Sequence, residues 1–324
     1  MSAPRRTATA DDLGRPHERV LDLQTFLVAD RLEVLDIVPG VVPGTRRLLV
    51  GEPGTARKTH LVALASNAAG KTALASEVQH LDELAVRLRP AIGATVPTVV
   101  SAVSLGEDHG VVLSAVAGAG QRRQGRGLGS TTAQATAIYE WLTALWEDTA
   151  GPDGPVDLGR DAVAVLMATV WQAPGAHETL AMLDRSRSAV ADYATARTSS
   201  HGCLCPRHVC ISDGWVAGVD DWGLGDSRGE PLRDLGNWVV TSAGTRIDDV
   251  LVGRSRAGRA WRTLVADGLA YWEIPEALWR EVLVLCLAES AVAALDEGDA
   301  TVLGLLTEIG ARLFHSDDRR DASS

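Results

Sequence analysis

The sequence predicts an α+β protein of two lobes, a small β-rich one followed by a larger helical one. Three observations carry this. Short β-type runs and one strongly periodic helix fill residues 35–117. A glycine-rich stretch, AGAGQRRQGRGLGS, follows them. Beyond it the pattern is helical, broken by one loop that holds two short strands. At 324 residues the chain is long enough for two cores.

Residues 17–36 read as a helix, with Val20, Leu21, Leu23, Phe26, Leu27 and Leu32 spaced mainly by three and four. TRRLLVGE and THLVALAS are short strands, with the turn signal PGTA between them. GKTALASEVQHLDELAVRLRP reads as a helix on Leu74, Val78, Leu81, Leu84 and Leu88, ended by Pro90. Two antiparallel strands then flank Glu107 to Gly110. After the glycine-rich stretch, segments near 131–148, 159–172 and 176–196 are amphipathic, as is most of 230–314. The expected division is a tail at 1–16, a β-rich lobe at 17–118, a hinge at 119–130, a helical lobe at 131–315 and a tail at 316–324.

Composition narrows the function. The net charge of -11 argues against a nucleic-acid binder, which needs a basic face to displace counterions, although RRQGR at 122–126 is a local basic run. An acidic surface suits a cationic substrate or simply solubility. No run is long and apolar enough to span a bilayer, and no apolar segment follows the basic start as in a secretory signal. In such a chain Cys203, Cys205, Cys210 and Cys286 are not a disulfide framework, and the expected home is the cytoplasm. Lysine-dependent chemistry has two candidates only, Lys58 and Lys71.

The loop HGCLCPRHVCISDGWVAGVDDWGLGD spans His201 to Asp226, and GEPLRDLGNW spans Gly229 to Trp238. In order and separation these segments resemble the aminoglycoside/choline phosphotransferase branch of the protein-kinase-like fold. That family carries roughly H-G-D-x-x-x-x-N, then I-D-W, then G-x-P-x-x-D-L. The resemblance implies ATP and Mg2+ as cofactors, with Asp221 as a metal ligand, Asp234 as a structural carboxylate and Glu77 as the helix glutamate that pairs with a phosphate-binding lysine. Such groups are needed because phosphoryl transfer is mostly positioning and charge neutralisation.

The departures are as specific as the matches. Cys203, flanked by His201, stands where the family has the aspartate that accepts the substrate proton, and a thiol is neutral near pH 7 unless its pKa is depressed. His208 stands at the second metal ligand, where Mg2+ prefers oxygen. Ala63 and Ala65 occupy the expected lysine register, leaving Glu77 to find Lys58 or Lys71. Two rival motifs are present. ASNAAGKTALASEV nearly matches a phosphate-binding P-loop, but Ala65 replaces its first glycine and no parallel βαβ rhythm surrounds it. Cys203, Cys205, Cys210 and His208 offer zinc-type ligands at an uncommon spacing.

Two functional classes remain. One is a pseudokinase, a ligand-binding or regulatory module in which ATP and Mg2+ are weakly held or lost. The other is an active enzyme with altered chemistry, either a divergent phosphotransferase or a cleft rebuilt around Cys203 and His208 for a small molecule or peptide. The partner is a small molecule or protein, with no nucleic acid and no membrane.

Overall fold

The computed structural model describes residues 20–40, 42–55, 57–117, 131–170, 175–252, 255–296 and 301–309. The segments expected as tails (1–16 and 316–324) and as the hinge (119–130) lie outside these. The chain divides into two compact units. The first comprises Met1–Arg122, Arg207–Cys210 and Ala217–Gly225, and the second Arg123–Pro206, Ile211–Val216 and Asp226–Ser324.

The first unit runs β1 (Val20–Asp22), α1 (Leu23–Ala29), β2 (Glu33–Pro39), β3 (Thr45–Gly51), β4 (Lys58–Ala65), α2 (Ala68–Arg87), α3 (Pro90–Gly93), β5 (Val99–Leu105) and β6 (Asp108–Ser114). Its strands form one sheet in the order β1-β5-β6-β4-β3-β2. All neighbours are antiparallel except β1 and β5. One face carries Leu48, Val50, Val62, Leu64, Val103 and Val112, which pack on Leu23 and Phe26 of α1. Alternation puts Arg47, Ala63 and Val111 on the other face, where Arg47 lies opposite Ala63 and Ala63 opposite Val111.

The helix expected over 17–36 is much shorter. The Asp22 carboxylate caps it by accepting from the Thr25 N–H at 3.0 Å, and Arg31 ends it with a φ of 53°. Beyond that turn Val34, Ile37 and Val38 belong to β2, which pairs with β3. A few leucines at helical spacing do not separate a two-turn helix from the strand beside it.

By contrast α2 follows its stripe, burying Leu74, Glu77, Leu81 and Leu84. Asn67 caps it, accepting from the Gly70 N–H at 2.7 Å. Gly70, Lys71 and Thr72 are therefore already helical, in an antiparallel setting rather than at a βαβ turn, so no P-loop forms. Lys71 Nζ instead lies 3.4 Å from the Glu107 carbonyl oxygen.

The second unit begins with α4 (Thr131–Thr149), β7 (Asp153–Pro155), α5 (Arg160–Val170), α6 (Ala176–Val190), β8 (Ala194–Ala196) and β9 (Thr198–Ser200). The helix expected to 196 thus stops at Val190, and its last residues pair with β7. In chain order a hairpin of β10 (Val209–Ser212) and β11 (Trp215–Val219) follows, of which Val209–Cys210 and Ala217–Val219 count with the first unit and Ile211–Val216 with the second; then come β12 (Asp226–Gly229), α7 (Pro231–Ala243), α8 (Ile247–Val252), α9 (Arg256–Tyr271), α10 (Trp279–Asp296) and a helix at 301–309. The hairpin loop is the pair Asp213–Gly214, with φ of 53° and 83°, the left-handed pair that a twisted two-residue turn requires. The core of this unit joins Ile138, Leu142 and Trp146 of α4, Leu235 and Trp238 of α7, and Val265 and Leu269 of α9. Within α10 every residue from Val282 to Ala288 is buried, as expected of a helix apolar all round. No helix among the described residues is long and apolar enough to cross a membrane.

Candidate functional site

In the first unit a buried charge cluster centres on Arg47. Arg47 is 3 % exposed, at the start of the apolar run of β3. Its Nη2 donates to Glu77 Oε2 at 2.8 Å and to Asp221 Oδ1 at 2.6 Å. The first contact ties β3 to α2, and the second reaches the segment that follows β11. Burial alone would lower the Arg47 pKa, but the two carboxylates outweigh it and raise it. Glu77 is pushed up by burial, against the pull of the Arg47 charge.

The backbone around Asp221 is fixed on several sides. Val219 N–H donates to the Thr95 carbonyl at 2.8 Å, and Asp220 N–H to the His208 carbonyl at 2.9 Å. Trp222 is fully buried, donates through Nε1 to the Val219 carbonyl at 3.1 Å, and stacks obliquely on His80. Asp221 itself has a φ of 61°, left-handed for a residue with a Cβ. Such a conformation persists only where the surroundings over-determine it, and it clusters at functional sites.

His208 is committed on both ring nitrogens. Its Nε2 accepts from Arg207 Nε at 2.9 Å, which leaves the proton on Nδ1. Nδ1 faces Asp220 Oδ1 at 3.4 Å and Asp221 Oδ2 at 3.9 Å. Lys58, at the start of β4, has its pKa lowered by burial, while Asp36 and Asp220 oppose the shift. Arg47 thus pairs with Glu77 and Asp221, and Lys58 lies near enough to Asp36 and Asp220 to feel their charge.

The second unit holds the His201 turn. The Asp234 carboxylate, on the first turn of α7, accepts from His201 N–H at 2.5 Å and Gly202 N–H at 2.9 Å. Asn237 Nδ2 donates to the Gly202 carbonyl at 3.3 Å. Cys203 N–H donates to His201 Nδ1 at 3.3 Å, so His201 serves the backbone of the loop. Burial pushes Asp234 up to about 7 despite those two donors and the nearby Arg233 charge. All four cysteines are free thiols, with Cys203 and Cys210 half-buried and Cys205 and Cys286 buried.

Of the residues singled out from sequence, Glu77, Asp221 and His208 meet in one cluster, while His201 and Cys203 sit on the turn that Asp234 holds. Lys71 takes no part in the cluster, and neither lysine bonds to Glu77. That role belongs to Arg47, which sequence reasoning missed. The one available signal was the second arginine of TRRLLV, directly before an apolar run and facing inward. The donor set does not suit Mg2+. One Asp221 oxygen already faces a guanidinium, and the position expected to supply a second oxygen ligand is a histidine engaged on both nitrogens. An anion fits better, since Arg47 Nε and Nη1 are buried and have no hydrogen-bond partner among the described residues.

No family model and no curated protein matches the chain in sequence. Solved structures do match in fold. Aminoglycoside phosphotransferase APH(4)-Ia is 13 % identical with a TM-score of 0.56, covering 89 % of this chain and 97 % of that one. A thermostable mutant of it, in a ternary complex with ADP and hygromycin B, is 15 % identical with a TM-score of 0.54, covering 89 % and 98 %. Macrolide 2'-phosphotransferase MphH from Brachybacterium faecium, as the apoenzyme, is 16 % identical with a TM-score of 0.52, covering 88 % and 96 %. The chain has the α+β, protein-kinase-like fold of these phosphotransferases.

Proposed function

We propose that this protein is a pseudokinase: a phosphotransferase-fold module that retains a site for nucleotide phosphates and has given up phosphoryl transfer. The observation that carries the reading is the Arg47 guanidinium held between Glu77 and Asp221. It keeps the cation–carboxylate pair expected of a phosphate site, yet it engages the carboxylate that a metal ion would need. Two further points support it. The loop position of the proton-accepting aspartate is Cys203. A thermostable mutant of APH(4)-Ia, similar in fold, forms a ternary complex with ADP and hygromycin B. Losing the base alone removes about 10²- to 10⁴-fold of rate, and losing charge stabilisation at the phosphates removes more.

The test is ATP turnover with aminoglycosides, macrolides and small alcohols as acceptors. Turnover stays below about 10⁻² s⁻¹, against the 1–100 s⁻¹ usual for kinases. Cys203→Asp alone does not raise it, because the base is only one of the missing parts. A wild-type rate in the ordinary kinase range would end the pseudokinase reading.

A further inference from the structure

The charge cluster of the first unit is complete without a metal. Buried carboxylates need a cation near them, and here Arg47 supplies it from within the chain, with Lys58 near Asp220. Mg2+ binds through oxygen ligands in near-octahedral geometry and is reluctant to shed its waters. At Asp221 it would meet a guanidinium 2.6 Å from Oδ1 and a histidine Nδ1 3.9 Å from Oδ2. A divalent ion entering there would have to displace the guanidinium that already holds Asp221.

Arg47 is also only half used. Nη2 serves both carboxylates, while Nε and Nη1 are buried with no partner among the described residues. A buried charged donor left unmatched is costly. Phosphate oxygens are the acceptors that match a guanidinium best, in charge and in fork geometry. We propose that Arg47 stands in place of the divalent cation, so that the first unit takes a nucleoside diphosphate or triphosphate as the metal-free anion, with phosphate oxygen accepting from Nε and Nη1. This rests on the nucleotide site of the preceding reading.

Calorimetric titration of the full chain with ATP and ADP, in EDTA and in excess Mg2+, tests it. Affinity is unchanged between the two media. Arg47→Ala weakens binding by about tenfold or more, and it opens Glu77 and Asp221 to Mn2+, visible by electron paramagnetic resonance where wild type shows no bound ion. An Arg47→Ala protein that binds ATP like wild type overturns the proposal. So does wild-type affinity that rises about tenfold or more on adding Mg2+. Those results leave the nucleotide site standing. Absence of ATP and ADP binding in both media removes the proposal and the nucleotide site together, whereas catalytic turnover is read separately. Should Arg47→Ala fail to fold, wild type in the two media decides the matter.

Discussion

A guanidinium inside an apolar strand survives because two carboxylates meet it there. Removing one partner of a buried ion pair typically costs about 3–5 kcal/mol, since the other charge is stranded. Arg47→Ala therefore loses about that much stability in urea unfolding. Ala63 lies directly across the ladder, and facing residues of an antiparallel pair have Cβ atoms about 4.5–5.5 Å apart on one face. A lysine at that rung reaches Glu77 as Arg47 does. Arg47→Ala combined with Ala63→Lys therefore recovers at least about half of the loss, and no recovery would show that the rung, not the charge, matters. The same geometry explains what was legible. Glu77 could be found from its own helix, because position along a helix is local information. Arg47 could not, because its role depends on which residue of β4 it faces, and that register is set by pairing between strands far apart in sequence.

At the scale of elements, strand β11 sets the position of Asp221 by close backbone approach. A Cβ at Gly218 would lie 2.4 Å from the Ala117 carbonyl oxygen, nearer than any side chain is tolerated. Gly218→Val thus pushes β11 off its neighbour and destabilises by about 1–3 kcal/mol. It also weakens the Arg47–Asp221 contact, because the displaced strand carries Asp221 with it. Denaturation midpoints with unchanged stability would contradict the close packing. The elements that were legible share a cause. Helix α2 has twenty residues with a sustained stripe and a cap. The hairpin has a turn pair that needs left-handed backbone. The stretch from β1 to β2 changes state within a few residues, so no window of useful length sees only one element.

For the whole molecule, the buried carboxylates set the response to pH. Asp234 stands at about 7 against an ordinary 3.8, and Glu77 and Glu230 are raised as well, burial being the main cause in both. Between those two values of Asp234 the folded chain holds more protons than the unfolded chain, so this contribution to stability is full below 3.8 and is lost as pH rises through about 7. Urea midpoints measured from about pH 5 to about pH 8 therefore fall for wild type relative to Asp234→Asn, whose side chain does not titrate. A pH-independent difference between the two proteins would contradict the raised Asp234. The fold class was legible from the order of strands and helices alone, while these proton affinities were not, since burial is a property of the assembled core. The placement of Arg47 also bears on inheritance. Two facing rungs of a ladder are interchangeable addresses for one charge, so substitution can move the charge sideways while the partner it serves stays fixed. A comparison that reads aligned columns will count such a move as a deletion, although in space the charge keeps its place.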